Sequence, residues 1–356
     1  MKPIGQVMQN ALKDGVFPGG VLLASKKGRV VFLEAFGHAR LTPERPMTID
    51  TVFDLASLTK PLATSVAAMI LIQEGKMDLD QTLGNTVRDF SDTDKKGLSV
   101  RQLLCHTSGL PDYQPYYERL LNLSPDDAKT SLRKLLVAEP LIHKPWEICL
   151  YSDLGFMILE WLIEEVAGEG LDSFIGKDLY EPLGLKNLFF NPIPQIKNRS
   201  YAATEDCPRR GKILEGEVHD DNAYAVGGVA GHAGLFGTTR AVYTLLQELL
   251  DTYLRKKNSA IFHPDTLQDF FKRQSDVGSW ALGFDTPSRP DSSSGKYFSD
   301  KSVGHLGFTG TSFWMDLNKD LIVVLLTNRV HPRRDNEKIK LFRPILHDKI
   351  MEMMCK

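Results

Sequence analysis

Ser57 and Lys60, in Phe53-Asp54-Leu55-Ala56-Ser57-Leu58-Thr59-Lys60, have the residue types and spacing to do chemistry. On a helix, positions three apart share a face, so the serine hydroxyl and the lysine amine come within hydrogen-bond reach. A serine hydroxyl is a poor nucleophile until a neighbouring base takes its proton, and a lysine does this only while burial or a nearby cation keeps it neutral. Ser-x-x-Lys also occurs at Ser131–Lys134 and at Ser293–Lys296. Ser131 lies in a charged segment that reads as a solvated helix face, and Ser293 in a Ser- and Gly-rich loop. Ser57 alone precedes an apolar stretch (Leu62, Val66, Ala67, Met69, Ile70) that would bury its helix and desolvate a lysine.

Two other segments offer partners. Tyr151-Ser152-Asp153 precedes an apolar run from Leu154 to Ala167, which reads as a buried helix. A phenol at that entrance, set beside an ammonium, is expected to have its pKa lowered from about 10 and to join in proton transfer to a leaving group. The bland alternative is a buried tyrosine whose hydroxyl is met by backbone. Gly304-His305-Leu306-Gly307-Phe308-Thr309-Gly310-Thr311 places small residues along a strand, where a substrate backbone could approach and an amide could donate to an oxyanion. A glycine-marked bulge at a sheet edge is the alternative there.

These residues need elements to hold them. Val21–Ala24 and Val30–Leu33 flank a polar turn at Ser25–Arg29, and Ser312–Leu317 and Leu321–Leu326 flank Asn318–Asp320, giving a hairpin near each end of the chain. A short helix is expected over 5–14 and a last helix from about Glu337 to Met353. Residues 191–234 and 285–303, rich in Gly, Pro, Asp and Ser, read as long connections. The fold expected is α/β of the α+β kind. An antiparallel sheet built from both termini (about 1–60 and 285–356) is flanked by helices, with a mainly helical insertion (about 61–284) in one catalytic domain spanning 1–356. The cleft between sheet and insertion is the natural site.

With 356 residues, 42% hydrophobic and 25% charged, the chain supports a large packed core. A net charge of −2 and the lack of Lys/Arg clusters with interleaved aromatics argue against nucleic-acid binding. The start, Met1-Lys2-Pro3-Ile4-Gly5-Gln6, lacks the apolar run of a signal peptide, and Thr64–Ile72 and Leu321–Leu326 are the longest apolar runs, so no membrane association and a cytoplasmic location are expected. Cys105, Cys149, Cys207 and Cys355 are scattered without ligand-spaced histidines, which favours free thiols over a disulfide and makes a metal site remote. Gly227-Gly228-Val229-Ala230-Gly231 lacks the lysine of a phosphate loop. No cofactor is expected.

Ser57-x-x-Lys60, Tyr151-Ser152-Asp153 and His305-Leu306-Gly307, in this order, resemble the three motifs of serine beta-lactamases and penicillin-binding proteins, more closely the class C-like branch with its esterases and D-amino-acid peptidases. Leu103–Asp112 and Gly231–Phe236 support the resemblance, which runs from about Gly19 to Val330, while Val218–Ala223 and Thr327–Pro332 resemble a carboxypeptidase-like subgroup. The resemblance implies a beta-lactamase/transpeptidase-like fold with Ser57 as the acylated nucleophile, Lys60 as its activating partner and Tyr151 as the proton shuttle. It also implies an oxyanion hole from the Ser57 and Phe308 amides, and substrate contacts at Asp153, His305 and Gly307. Three departures stand out. Asp153 replaces an amide residue, His305 replaces a lysine, and Lys144-Pro145-Trp146 stands where relatives often carry Pro-Gly.

The expected substrate is thus a small ester, amide or peptide, with esterase or D-aminoacyl peptidase chemistry ahead of beta-lactam hydrolysis. A His305 of ordinary pKa, about 6.5, would gain charge as the pH falls towards 6 and partly restore the lost cation. A binding or sensor protein that keeps the fold without turnover, acylating once or binding an acyl compound without reaction, is the second reading. Ser-His-Asp catalysis ranks last for want of a Gly-x-Ser-x-Gly elbow.

Overall fold

The computed structural model describes residues 2–190 and 199–355. Its strands are β1 (Gly19–Lys26), β2 (Arg29–Leu41), β3 (Glu44–Pro46), β4 (Phe53–Asp54), β5 (Leu188–Phe190) and β6 (Ala203–Cys207). They continue with β7 (Lys212–Glu215), β8 (Leu235–Gly237), β9 (Ser302–Leu306), β10 (Ser312–Asp316) and β11 (Leu321–Thr327). The main sheet has the order β3-β2-β1-β11-β10-β9, so strands from the two ends of the chain meet at its centre. There β1 and β11 run antiparallel with Val21 opposite Leu326.

Both central strands are apolar without interruption because both faces are covered. Their alternate residues enter different cores. Leu22, Ala24, Val323 and Leu325 pack with Ile4, Met8, Leu346 and Ile350 of the terminal helices Lys2–Lys13 and Ile339–Met354. Val21, Leu23, Val324 and Leu326 face the larger core with Val66, Ile158 and Leu245. A register slip of one residue would exchange these sets, so the pairing is strongly specified. The expected hairpins and terminal helices are present, and the run after Tyr151 forms the helix Asp153–Ala167, buried from Leu154 to Ile163.

The intervening segment is less uniformly helical than its composition suggests. Its β8 and β5 join β4, which precedes it, in a three-stranded sheet of order β4-β8-β5, and it adds the β6–β7 hairpin. Of the long connection expected over 191–234, residues 191–198 lie outside the described residues. The remainder contains that hairpin and the short helix Asp221–Ala225. Reading the stretch as one connection from its turn-rich composition fits the Pro208–Gly211 turn, where Gly211 takes φ +61°, but hid the short strands on either side.

Ser57 does not open a regular α-helix. It lies in a 3₁₀ turn, Ala56–Leu58, which passes into a wide π-type turn, Lys60–Ser65, before the α-helix Val66–Gln73. Pro61 has no N–H for the ordinary i→i−4 ladder and stands where the widening occurs. The stretch Ala56–Gln73 is long and apolar enough to cross a membrane by length and composition, yet 83% of it is buried inside the protein, as befits a core segment.

Candidate active site

The turn before Ser57 is held in an uncommon backbone state. Ala56 has φ +49°, a state that costs a non-glycine residue about 1–3 kcal/mol and persists only where its surroundings enforce it. The enforcement is visible. The Asp54 carboxylate accepts from Ala56 N (2.9 Å) and His219 N (2.7 Å), while Thr59 Oγ1 donates to Ala56 O (2.7 Å). From the main sheet side, Thr309 Oγ1 donates to Asp54 O (2.8 Å) and Thr311 Oγ1 to Leu55 O (2.9 Å). Ser57 is thus fixed between β4 and the turn after β9.

Lys60 is fully buried, and its Nζ donates to Ser57 Oγ (3.2 Å), Asp153 Oδ1 (2.6 Å) and His232 O (3.3 Å). Three hydrogens meet three acceptors, the arrangement an ammonium requires. Burial pulls the Lys60 pKa down, but the Asp153 carboxylate, with a smaller contribution from Tyr151, more than offsets it and leaves the pKa raised. The expectation of a lysine kept neutral by burial is therefore overturned. The apolar helix does bury Lys60, and Asp153, from the entrance of another helix, keeps it charged.

Asp153 opens the helix Asp153–Ala167, and Ser152 caps it, accepting from Gly155 N (3.2 Å) and donating to Pro111 O (2.6 Å). Tyr151 is carried to the same point, with Lys60 Nζ 4.7 Å from its ring centroid. The Tyr151 pKa is raised. Burial dominates, and the nearby Lys60 ammonium opposes it without reversing it. This corrects the expectation of a lowered phenol pKa: Tyr151 rests as a proton donor.

His305 is 1% exposed, with its Nδ1 2.8 Å from Leu306 O and its Nε2 buried without a partner. Burial and the Lys60 charge push its pKa down to about 3, so it stays neutral at pH 6 and the expected gain of charge there does not occur. Its ring joins Tyr151 and Trp280 in an aromatic wall, at 6.0 and 5.3 Å between centroids. His106 completes the wall, 4.6 Å from Tyr151, and accepts from Ser152 N through Nδ1 (3.1 Å).

Gly307 lines the cleft, but packing explains its identity: a Cβ there would overlap Thr311 Oγ1 and come within 2.6 Å of Leu55 O. Phe308 follows at the cleft rim, 49% exposed, with its carbonyl accepting from Arg329 Nε (2.8 Å). Among the described residues neither the Ser57 N–H nor the Phe308 N–H has a protein acceptor. Two lobes of about 350 Å³ each meet at Ser57 and Tyr151. One is lined by Trp280, His305, Leu306, Phe308, Ile339 and Arg343; the other by Tyr113, Asp153, His219, Asp220, His232 and Arg334.

The structure brings Ser57, Lys60, Tyr151, Asp153, His305, Gly307 and Phe308 to this one cleft. Ser131 sits on the helix Pro125–Ala138 with Lys134 exposed, and Ser293 gives its carbonyl to His347 (2.7 Å) with Lys296 exposed; neither serine lines the cleft. Sequence reasoning missed Asp54, His106, Trp280, Arg329 and Arg343. Of these, Asp54, His106 and Arg329 fell in segments already singled out, without a role assigned to them, whereas Trp280 and Arg343 did not. No group of three or more His, Cys, Asp or Glu residues suited to a metal ion occurs among the described residues, and the four cysteines are unpaired.

The arrangement invites comparison with known proteins. A family model described as "Beta-lactamase" matches residues 4–343. An N-acetylmuramyl-L-alanine amidase of Bacillus subtilis (strain 168) is 31% identical over 93% of this chain and 81% of its own length. A Salmonella agona (strain SL483) protein, provisionally named a D-alanyl-D-alanine carboxypeptidase, is likewise 31% identical, over 93% of this chain and 83% of its own. EstCE1, a hydrolase with promiscuous acyltransferase activity, superposes with a TM-score of 0.76 at 24% identity, over 97% of this chain and 98% of its own, a likeness of fold. The match over nearly the whole chain and the cleft built around Ser57 and Lys60 lead to one conclusion: the chain belongs to the beta-lactamase family and is a hydrolase of the serine beta-lactamase type.

Proposed function

We propose that the protein hydrolyses a small ester or amide through an acyl-enzyme on Ser57. The observation that carries this reading is the hydrogen bond from the buried Lys60 amine to the Ser57 hydroxyl, beside Tyr151 and Asp153. Once Lys60 has given up a proton it accepts the Ser57 proton, and Oγ attacks the substrate carbonyl. The Ser57 and Phe308 N–H groups receive the developing oxyanion. Tyr151, resting as a phenol, donates its proton to the departing oxygen or nitrogen and is restored from Lys60. Water reverses the sequence to release the acid.

Asp153 makes this scheme testable by pH. Asp153 raises the Lys60 pKa, so the reactive neutral amine forms only as the pH rises, and kcat/KM for a neutral ester should climb towards alkaline pH. In Asp153→Asn, burial acts on Lys60 without the carboxylate, and the rising limb should move to lower pH. A rising limb unmoved in this variant would mean that Lys60 is not the group that must lose a proton.

Substrate choice follows from His305. A charge-assisted hydrogen bond to a substrate carboxylate is worth about 1.5–3 kcal/mol, or roughly a ten- to hundredfold preference, and a neutral histidine does not supply it. A short aryl ester should therefore give a kcat/KM well above that of a carboxylate-bearing beta-lactam, with the ratio constant from pH 8 to pH 5. A ratio that narrows towards pH 6 would show His305 gaining charge; a preference for the beta-lactam would overturn the ranking of neutral esters ahead of beta-lactams and place carboxylate recognition elsewhere in the cleft. The curated relatives, named for amidase and carboxypeptidase chemistry, support acyl transfer from nitrogen as well as oxygen.

A further inference from the structure

The Gly307 carbonyl and the Phe308 N–H belong to one planar peptide, so whatever binds the carbonyl acts on the amide opposite. The Gly307 oxygen accepts from Gly310 N (3.0 Å) and faces the guanidinium of Arg343, whose Nη2 lies 3.4 Å away and donates to Thr311 O at 2.8 Å. Arg343 comes from the helix Ile339–Met354, is 5% exposed and has an Nε without any partner. Its companions on that helix, Phe342, Leu346 and Ile350, are buried apolar residues of the sheet-facing core. Packing alone would place another such residue at 343. Among the described residues no carboxylate pairs with it, and the charge that bears on it is a second guanidinium, Arg329. Burial and that neighbour lower its pKa to about 9, which leaves it charged at neutral pH. Arg329 grips the next peptide, donating from Nε to Phe308 O (2.8 Å), and its Nη1 is held by Arg334 O (2.9 Å) and Asn336 O (2.8 Å).

A buried cation without a counter-ion destabilises a fold, and one that persists calls for a functional account. The geometry points to Arg343 as a positioning residue for the oxyanion site: its guanidinium holds and polarises the Gly307–Phe308 peptide from behind, so that the Phe308 N–H donates more strongly to negative charge formed on the carbonyl attacked by Ser57. This rests on the reading of Ser57 as the acylated residue and of the Phe308 amide as an oxyanion donor. In a site of low dielectric, fixed charge and an oriented amide act together, and hydrogen bonds in series strengthen one another. The lack of a counter-ion belongs to the device, because a carboxylate beside Arg343 would cancel its field at the amide.

The test is Arg343→Met, which keeps an apolar body of similar reach and removes the charge. With a neutral aryl ester, kcat should fall about tenfold with KM nearly unchanged, less than the ~10²–10³ that follows loss of an oxyanion donor itself. Affinity for an aryl boronic acid, whose tetrahedral adduct on a serine mimics the intermediate, should weaken by a similar factor. The thermal midpoint should hold or rise, whereas a residue needed only for structure would lose stability with the substitution. Arg343→Lys should recover part of the loss. If the Met variant does not fold, Arg343→Gln against Arg343→Lys carries the same comparison. Wild-type kcat in the neutral variants, or a loss confined to carboxylate-bearing substrates through KM, would overturn the inference. Turnover retained in Ser57→Ala would instead overturn the reading beneath it, so the two failures are distinguishable.

Discussion

Ser57→Ala is expected to abolish turnover and labelling by a serine-directed fluorophosphonate, with a loss in kcat on the order of 10⁶. The expectation rests on what surrounds this hydroxyl and no other Ser-x-x-Lys serine. Ser57 Oγ receives a hydrogen bond from a lysine with no solvent exposure, and its backbone is locked by the Asp54 carboxylate and two threonine hydroxyls from the turn after β9. Lys134 and Lys296 are exposed, and among the described residues neither amine has a hydrogen bond to Ser131 or Ser293, so these serines lack the held partner that Ser57 has. Ser131→Ala and Ser293→Ala should therefore retain both labelling and turnover. Assays with a chromogenic ester and in-gel labelling decide the matter. Labelling that survives in Ser57→Ala would remove the serine from the mechanism.

Lys60→Met should slow acylation by roughly 10²–10⁴, the usual contribution of a positioned base. The loss reaches further than the base itself, because Asp153 and the His232 carbonyl would lose the hydrogens they accept from Nζ. Pairing the substitution with Asp153→Asn removes the stranded carboxylate, so recovery of thermal stability in the double variant would separate the electrostatic cost from the catalytic one. Tyr151→Phe should slow acylation as well, and Lys60→Met/Tyr151→Phe should lose far less than the product of the single losses, since the two share one proton path. Full multiplicativity would show the groups acting independently.

The contrast between what was legible in the sequence and what was not has physical causes. Short continuous apolar runs in β1 and β11 and the polar turns at Ser25–Arg29 and Asn318–Asp320 reveal strands because run length and turn chemistry are local. The Ser57–Lys60 contact is equally local, three positions apart across a 3₁₀ turn that passes into a π-type turn. The charge on Lys60 is not, for it depends on Asp153, 93 residues away. The same holds for Tyr151 and His305, whose protonation follows from burial that no motif encodes. Arg343 sits in a helix that reads as ordinary amphipathic sequence, and its place behind the Gly307 carbonyl is set by packing of that helix on the sheet. The short strands β4, β5 and β8 were missed because two or three residues carry too little periodicity to be read.

The most direct test of an acyl-enzyme on Ser57 is mass spectrometry of the intact protein, quenched in acid during turnover of an activated aryl ester, followed by peptide mapping. The account predicts one equivalent of acyl group per chain, carried on the peptide containing Ser57, and a matching burst of the phenol product before the steady state. An adduct on any other residue, or sustained turnover with neither adduct nor burst under conditions where the phenol leaves rapidly, would contradict it.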